Sequence, residues 1–102
     1  MCNSLEAELG HTTTVGRYSP AGDSVYGAAD MAGNVWEWCL TKWRESYQDS
    51  AEDNDPEEVV GRVLRGGAFQ FLCYFVRPWY RIEAYPSVRK LYGFRVMCTP
   101  LL

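Results

Sequence analysis

A loop-rich α+β domain built on a small strand core is what three features of this 102-residue chain predict. Nine glycines and five prolines cut it into short pieces, leaving little room for long helices or long strands. The apolar runs that remain are rich in tryptophan, tyrosine, phenylalanine and valine, side chains that suit a pleated, half-buried surface. A hydrophobic fraction of 47%, with 15% aromatics, is enough to close one core, so residues 1–102 are read as a single domain.

The elements follow in order. Residues 3–9, NSLEAEL, carry the one helical hint. Residues 16–27, GRYSPAGDSVYG, hold a Pro-Ala-Gly and an Asp-Ser and read as turn-rich loop. A Gly33-Asn34 turn then leads into VWEWCLTKW at 35–43, the best strand candidate, with partial alternation. Trp36 and Trp38 are two apart, so both point to one face and are expected to pack there. The acidic stretch at 45–58 has no apolar period and reads as loop. VVGRVLRGGAF at 59–69 reads as a second strand, with Gly66 and Gly67 marking a close backbone approach. GFRVMC at 93–98 reads as the closing strand.

Charge and cysteine usage narrow the function classes. The net charge of −3, with acids clustered at 49–58, offers no basic face, so no nucleic-acid partner is expected. No apolar run approaches the ~18 residues needed to cross a bilayer, and no signal-peptide pattern opens the chain. The expectation is a cytoplasmic protein with no membrane association. Cys2, Cys39, Cys73 and Cys98 form no CxxC pair, and His11 is the single histidine. Reduced, mostly buried thiols are expected rather than a zinc site, which would show tight ligand pairs. One histidine also leaves little for a Ser-His-Asp set.

Three stretches carry more: DMAGNVWEW at 30–38, RVLRGGAF at 62–69 and GFRV at 93–96. In this order and spacing they resemble the formylglycine-generating-enzyme (sulfatase-modifying factor) family, a branch of the C-type-lectin-like fold. TTTVGRYSPAGDSVYGAA, leading into the first stretch, and CNSLEAELG near the start are similar to the family as well. The resemblance covers nearly the whole chain. It corresponds to the C-terminal portion of a family domain that is typically more than twice as long.

Within DMAGNVWEW, two carboxylates flank one tight turn with carbonyls between them, and such a set supplies hard oxygen ligands to calcium. The plainer alternative is that Asp30 and Glu37 cap the turn and pair with an arginine. The resemblance implies a structural calcium here, held by the Asp30 and Glu37 side chains and the Gly33 and Val35 carbonyls. A second calcium site of the family, near Asn3 and Ser4, has its other ligands in a stretch this chain lacks and is not carried over. Arg77, Arg81 and Arg95 are expected to serve the scaffold, their guanidinium forks tying loops to carbonyls and carboxylates.

Catalytic members of the family bind copper through two cysteines just after the double glycine, since soft thiolates select Cu(I). Only Cys73 falls in that window. The first of the pair would stand near Ala68 or Phe69, so no copper and no catalysis are expected. A further branch uses non-haem iron, with ligands in a part not present here.

The chain also resembles the variable proteins of diversity-generating retroelements, which keep RGG(S/A)(F/W), periodic Arg and Pro, and GFRV while the residues between them change. By this resemblance 65–96 is the candidate variable ligand-binding region. Phe71, Leu72, Cys73, Tyr74, Phe75, Ile82, Ala84, Tyr85, Ser87, Val88, Leu91 and Tyr92 can all arise by adenine mutagenesis of an AAC codon. Gln70, Trp79, Glu83 and Lys90 need other codons. The ligand-binding set expected is Phe71, Leu72, Cys73, Tyr74, Phe75, Trp79, Tyr80, Ile82, Glu83, Tyr85, Lys90, Leu91 and Tyr92. Of these, Trp79 and Phe75 are expected to turn inward. So much aromatic surface in a soluble chain argues for a protein or other macromolecular partner, with self-association or fusion to bacterial signalling modules as further expectations. The competing expectation is a fragment of a formylglycine-generating-type copper oxidase or a related family enzyme.

Overall fold

The computed structural model describes residues 1–47, 54–88, 90 and 92–100. One four-stranded sheet organises them. Its strands are β1 (Trp36–Lys42), β2 (Arg62–Arg65), β3 (Arg81–Ala84) and β4 (Tyr92–Gly93), arranged in the order β3-β2-β1-β4. β1 and β2 run antiparallel, as do β2 and β3, while β4 lies parallel to β1. The strand expected at 35–43 is present almost in full, and that expected at 59–69 contracts to its centre. The helical hint at 3–9 becomes a single 3₁₀ turn, Leu5–Ala7.

β1 bulges. From Trp38 to Lys42 it advances four residues, while β2 advances two, from Leu64 to Arg62. The extra residues tighten the local twist and carry the end of β1 away from the regular ladder. Arg62 fills the gap, its buried guanidinium donating to the carbonyls of Leu40 at 2.6 Å, Glu58 at 3.1 Å and Asp55. A charge held by three carbonyls stays satisfied without water.

The core is small. Trp36 (1% exposed), Leu64, Ala68 and Ala84 form its centre, with Trp38, Phe71, Phe75, Tyr80, Ile82 and Tyr92 half-buried against it. Trp36 and Trp38 both pack inward, as their spacing requires.

The sheet's two edge strands differ most from the sequence expectation. β3 was not expected, because Arg81 and Glu83 interrupt the apolar pattern that marks a strand. The closing strand expected at 93–98 stops at Gly93, where pairing with β1 ends after Trp36 with Tyr92 and Glu37 with Gly93. Beyond it Phe94, Val96 and Met97 stand exposed. The cysteines depart from expectation too: all four are free thiols, but Cys73 and Cys98 are exposed and Cys2 and Cys39 are half-buried.

Long loops are pinned by Asn34 rather than by secondary structure. It adopts φ +72°, a left-handed conformation asparagine tolerates. Its N–H donates to the Asn3 carbonyl at 2.8 Å, and its own carbonyl accepts from the Phe69 N–H at 3.0 Å. Its side-chain oxygen accepts from the Thr13 N–H at 2.8 Å. One residue thereby joins the start of the chain, the turn-rich loop and the segment after β2. Gly33 must be glycine, for it has φ +76° and a Cβ there would collide with the Asn3 carbonyl.

Candidate functional site

The segment after β2 turns sharply at Gly66 and Gly67, which have φ +93° and +72°. A Cβ on Gly67 would strike the Val76 side chain, so the two glycines do mark a close backbone approach. The turn buries Ala68 and Phe69 and then releases the chain into a 3₁₀ turn at Cys73–Val76. A loop through Arg77 and Trp79 leads on into β3.

Aromatic rings run from the core to the surface along this segment. Trp36 meets Phe71 edge-on at 5.3 Å, Phe71 meets Phe75 at 5.6 Å, and Phe75 meets Tyr80 at 5.0 Å. Tyr74 then contacts Phe75, Tyr80 and Trp79, each at 5.5 Å and edge-on. Such T-shaped contacts match ring edges to ring faces and fix the outer rings relative to the inner ones.

The expected ligand-binding set accordingly divides. Leu72, Cys73, Tyr74 (47% exposed), Trp79 (57%), Glu83, Tyr85 (52%) and Lys90 lie open to solvent. Phe71, Phe75, Tyr80, Ile82 and Tyr92 are half-buried and support the core. Leu91 lies outside the described residues. Trp79, expected to turn inward, is instead the most exposed of these rings, resting on Tyr74 and Tyr80, which lie between it and the core. Phe75 does turn inward. A cleft of about 200 Å³ opens beside the face, lined by Trp36, Gln70, Phe71, Ile82, Lys90 and Tyr92. Gln70, exposed and polar, carried no sequence signal that would have placed it there.

Cys73 sits at the start of the 3₁₀ turn, tied to the opposite end of the chain. Its backbone N–H donates to Glu6 Oε1 at 2.8 Å. That bond, with a second from the Ser4 hydroxyl, holds the Glu6 carboxyl down at about 2. In return, the hydrogen bond to Glu6 and its negative charge push the Cys73 thiol up. A raised thiol is less often the thiolate, the form that attacks and that binds soft metals. Among the described residues no three of His, Cys, Asp and Glu stand together as a metal-ligand group.

The turn before β1 forms a second cleft, about 250 Å³, lined by Asp30, Gly33, Val35 and Glu37 together with Arg95. The four residues expected to hold calcium therefore line one cleft. Two carboxylates and two carbonyls are a hard donor set that fits a calcium ion in chemistry. They are also engaged within the protein. Asp30 Oδ2 accepts from the Gly16 N–H at 2.7 Å, and Arg95 grips both Glu37 oxygens at 2.6 Å. Arg95 also donates to the carbonyls of Ala29 at 3.0 Å and Asp30 at 2.8 Å. The carboxylate partner raises the Arg95 pKa further. Each carboxylate still has lone pairs left after these bonds, so capping, arginine pairing and cation binding are compatible.

Comparison with known proteins decides the family. A model of the sulfatase-modifying factor enzyme 1-like domain matches residues 2–100. The chain belongs to this family. It is 41% identical over 90 residues to the serine/threonine-protein kinase pkn1 of Chlamydia pneumoniae, covering 82% of this chain and 14% of the kinase. It is 39% identical over 75 residues to the formylglycine-generating enzyme of Thermomonospora curvata, covering 66% of this chain and 23% of that enzyme. Among solved structures, Treponema denticola variable protein 1 superposes with a TM-score of 0.75 at 28% identity, over 91% of this chain and 34% of that one. The chain thus spans a small part of each relative. Its fold is the C-type-lectin-like one of the formylglycine-generating-enzyme type, and its likeness to a variable protein extends to the backbone.

Proposed function

We propose that this family member is a non-catalytic binding domain which presents the surface of residues 70–92 to a protein or other macromolecular ligand. One observation carries the reading: the aromatic segment divides into inner rings packed against the core and outer side chains that keep about half of their surface in water. Leu72, Tyr74, Trp79 and Tyr85 expose large apolar area. Such area is costly in water unless a partner covers it, and aromatic rings make good anchors because they bury much surface for little rotamer entropy. The likeness to a variable protein supports a face whose residues change while the scaffold stays.

Two observations speak against catalysis. The copper-binding window holds a single cysteine, Cys73, and its thiol is pushed up by the Glu6 carboxylate. The second reading, a piece of a formylglycine-generating-type oxidase or related enzyme, draws on the identity to such an enzyme. The turn at Asp30–Glu37 is proposed to hold a structural calcium, a contribution to stability rather than to binding.

The test is at the level of codons. Residues 65–95 and the flanking locus are sequenced across many clones of the source population. Substitutions concentrated at 70–92, each opposite an adenine in a near-identical template, support a diversified binding face. A uniform segment with no template removes the diversification. Conversion of a sulfatase-derived cysteine peptide to formylglycine in the presence of copper and oxygen would restore the enzyme reading.

A further inference from the structure

Arginines punctuate the chain from β2 to its end, and four that are described are spent on the fold. Arg62 bonds three carbonyls, and Arg65 donates to the Pro78 carbonyl at 3.0 Å. Arg81 donates to the Tyr47 hydroxyl and the Glu45 carbonyl while lying 4.0 Å over the Trp43 ring. Arg95 holds Glu37. Arg77 is different. Its guanidinium lies 5.3 Å over the Tyr74 ring and 5.8 Å over the Trp79 ring, and it makes no hydrogen bond or ion pair among the described residues. Glu6, the carboxylate that reaches this 3₁₀ turn at Cys73, is already bound to Ser4 and Cys73.

We propose that Arg77 is the fixed anchor of the exposed aromatic face, and that it receives an aspartate or glutamate side chain from a docked protein segment. The inference rests on the binding reading above and names the chemistry of its partner. It departs from the expectation that Arg77, like Arg81 and Arg95, serves the scaffold alone.

The geometry favours a carboxylate. The guanidinium lies beside both rings, 5.3 Å from Tyr74 and 5.8 Å from Trp79. Its five N–H donors, unbonded among the described residues, form a planar fork that matches two carboxylate oxygens. The rings limit the ways the side chain can move, so little rotamer freedom remains to be lost on binding. They also form an apolar wall beside the guanidinium, so a carboxylate docked against it sheds part of its water and the ionic hydrogen bonds strengthen. Tyr74 and Trp79 beside it, and exposed Leu72 on the same segment, offer apolar area suited to the flanking residues of a polypeptide. Nucleic acid is the less fitting occupant, because a chain of net charge −3 gains little from a phosphate backbone.

A random peptide library displayed on phage tests this against the intact domain. Peptides retained by the native chain are expected to be enriched in Asp and Glu and to bind Arg77→Gln roughly 10- to 100-fold more weakly, as for a hydrogen-bonded charge pair. Arg77→Lys recovers only part of the loss, since a point charge lacks the fork. Both variants melt as the native chain does. Peptides that depend on Tyr74 and Tyr85 but bind Arg77→Gln unchanged overturn the anchor and leave the binding face intact. Failure to retain peptides, or retention insensitive to Tyr74, Arg77 and Tyr85 alike, overturns both. Arg77-dependent binding of a single-stranded DNA oligonucleotide, with no acidic peptides retained, overturns the protein partner.

Discussion

Arg95 and Glu37, 58 residues apart in sequence, meet in a two-pronged ion pair, Nε to Oε2 and Nη2 to Oε1 both at 2.6 Å. The same guanidinium ties down the carbonyls of Ala29 and Asp30, so one side chain joins the end of the chain, β1 and the turn before it. An exposed ion pair alone contributes little, because solvent screens it and two long side chains must be held still. Here the fork geometry and two carbonyls add to it. Arg95→Ala is expected to cost about 2 kcal/mol, a fall in Tm of roughly 10 °C for a domain of this size. Arg95→Lys should fall between the two, and a thermal melt by circular dichroism reads both. Equal melting of all three proteins would mean the pair contributes nothing.

Glu6 should make stability depend on acid. Its carboxyl is held at about 2, chiefly by the Cys73 N–H and next by the Ser4 hydroxyl, against 4.5 in an unconstrained chain. The folded state thus favours the ionised form, and its contribution is complete above pH 4.5. It fades as pH falls and is gone once pH passes below about 2. The native chain should lose part of its Tm across that window, and Glu6→Gln should flatten that part of the profile. Removing the charge should also release the thiol, so Cys73 in Glu6→Gln should alkylate faster with iodoacetamide at mildly alkaline pH. An unchanged rate would separate Cys73 from Glu6.

Calcium is best tested with Asp30→Asn rather than Asp30→Ala. Asparagine tolerates the left-handed φ of +54° and can still accept from the Gly16 N–H, while the charge that draws a cation is removed. With calcium at roughly 100 times its Kd, the native Tm should rise by the equivalent of about 2.7 kcal/mol, and chelator should reverse it. Asp30→Asn should show little of this rise. A native Tm indifferent to both calcium and chelator would leave the cleft to Arg95 alone.

The strands that were legible in the sequence are those whose residues alternate against the core. VWEWCLTKW declares β1 because Trp36 and Trp38 share a face, and the double glycine declares the turn after β2. β3 was hidden because Arg81 and Glu83 break its pattern, and Arg81 owes its place to Trp43 and Tyr47, far away in sequence. The four groups of the Asp30 turn could be named by resemblance and do line one cleft. That Arg95 would close over it is a long-range fact that no local window contains. Exposure within the aromatic segment was the least legible property. It depends on which ring reaches the core first, and Phe71 and Phe75 get there ahead of Trp79.

That order of arrival separates two groups of substitutions. Tyr85→Ala removes a half-exposed ring and should cost no more than about 0.5 to 1 kcal/mol. Tyr74→Ala also gives up edge-on contacts to Phe75 and Tyr80 and should cost about 1 to 2 kcal/mol, while both abolish ligand capture. Phe71→Ala withdraws a ring that meets Trp36 edge-on and should cost about 3 kcal/mol, at the low end for a phenylalanine because it is only partly buried. Tyr92 belongs with Phe71, since it packs edge-on against Trp38 at 5.5 Å and lies in β4. Urea unfolding of the four variants, set beside binding of one selected ligand, tests the division. If Tyr74→Ala or Tyr85→Ala unfolds the domain as readily as Phe71→Ala, the outer rings belong to the core and the surface has nothing left to present. If all four fold and bind as the native chain does, the partner docks elsewhere.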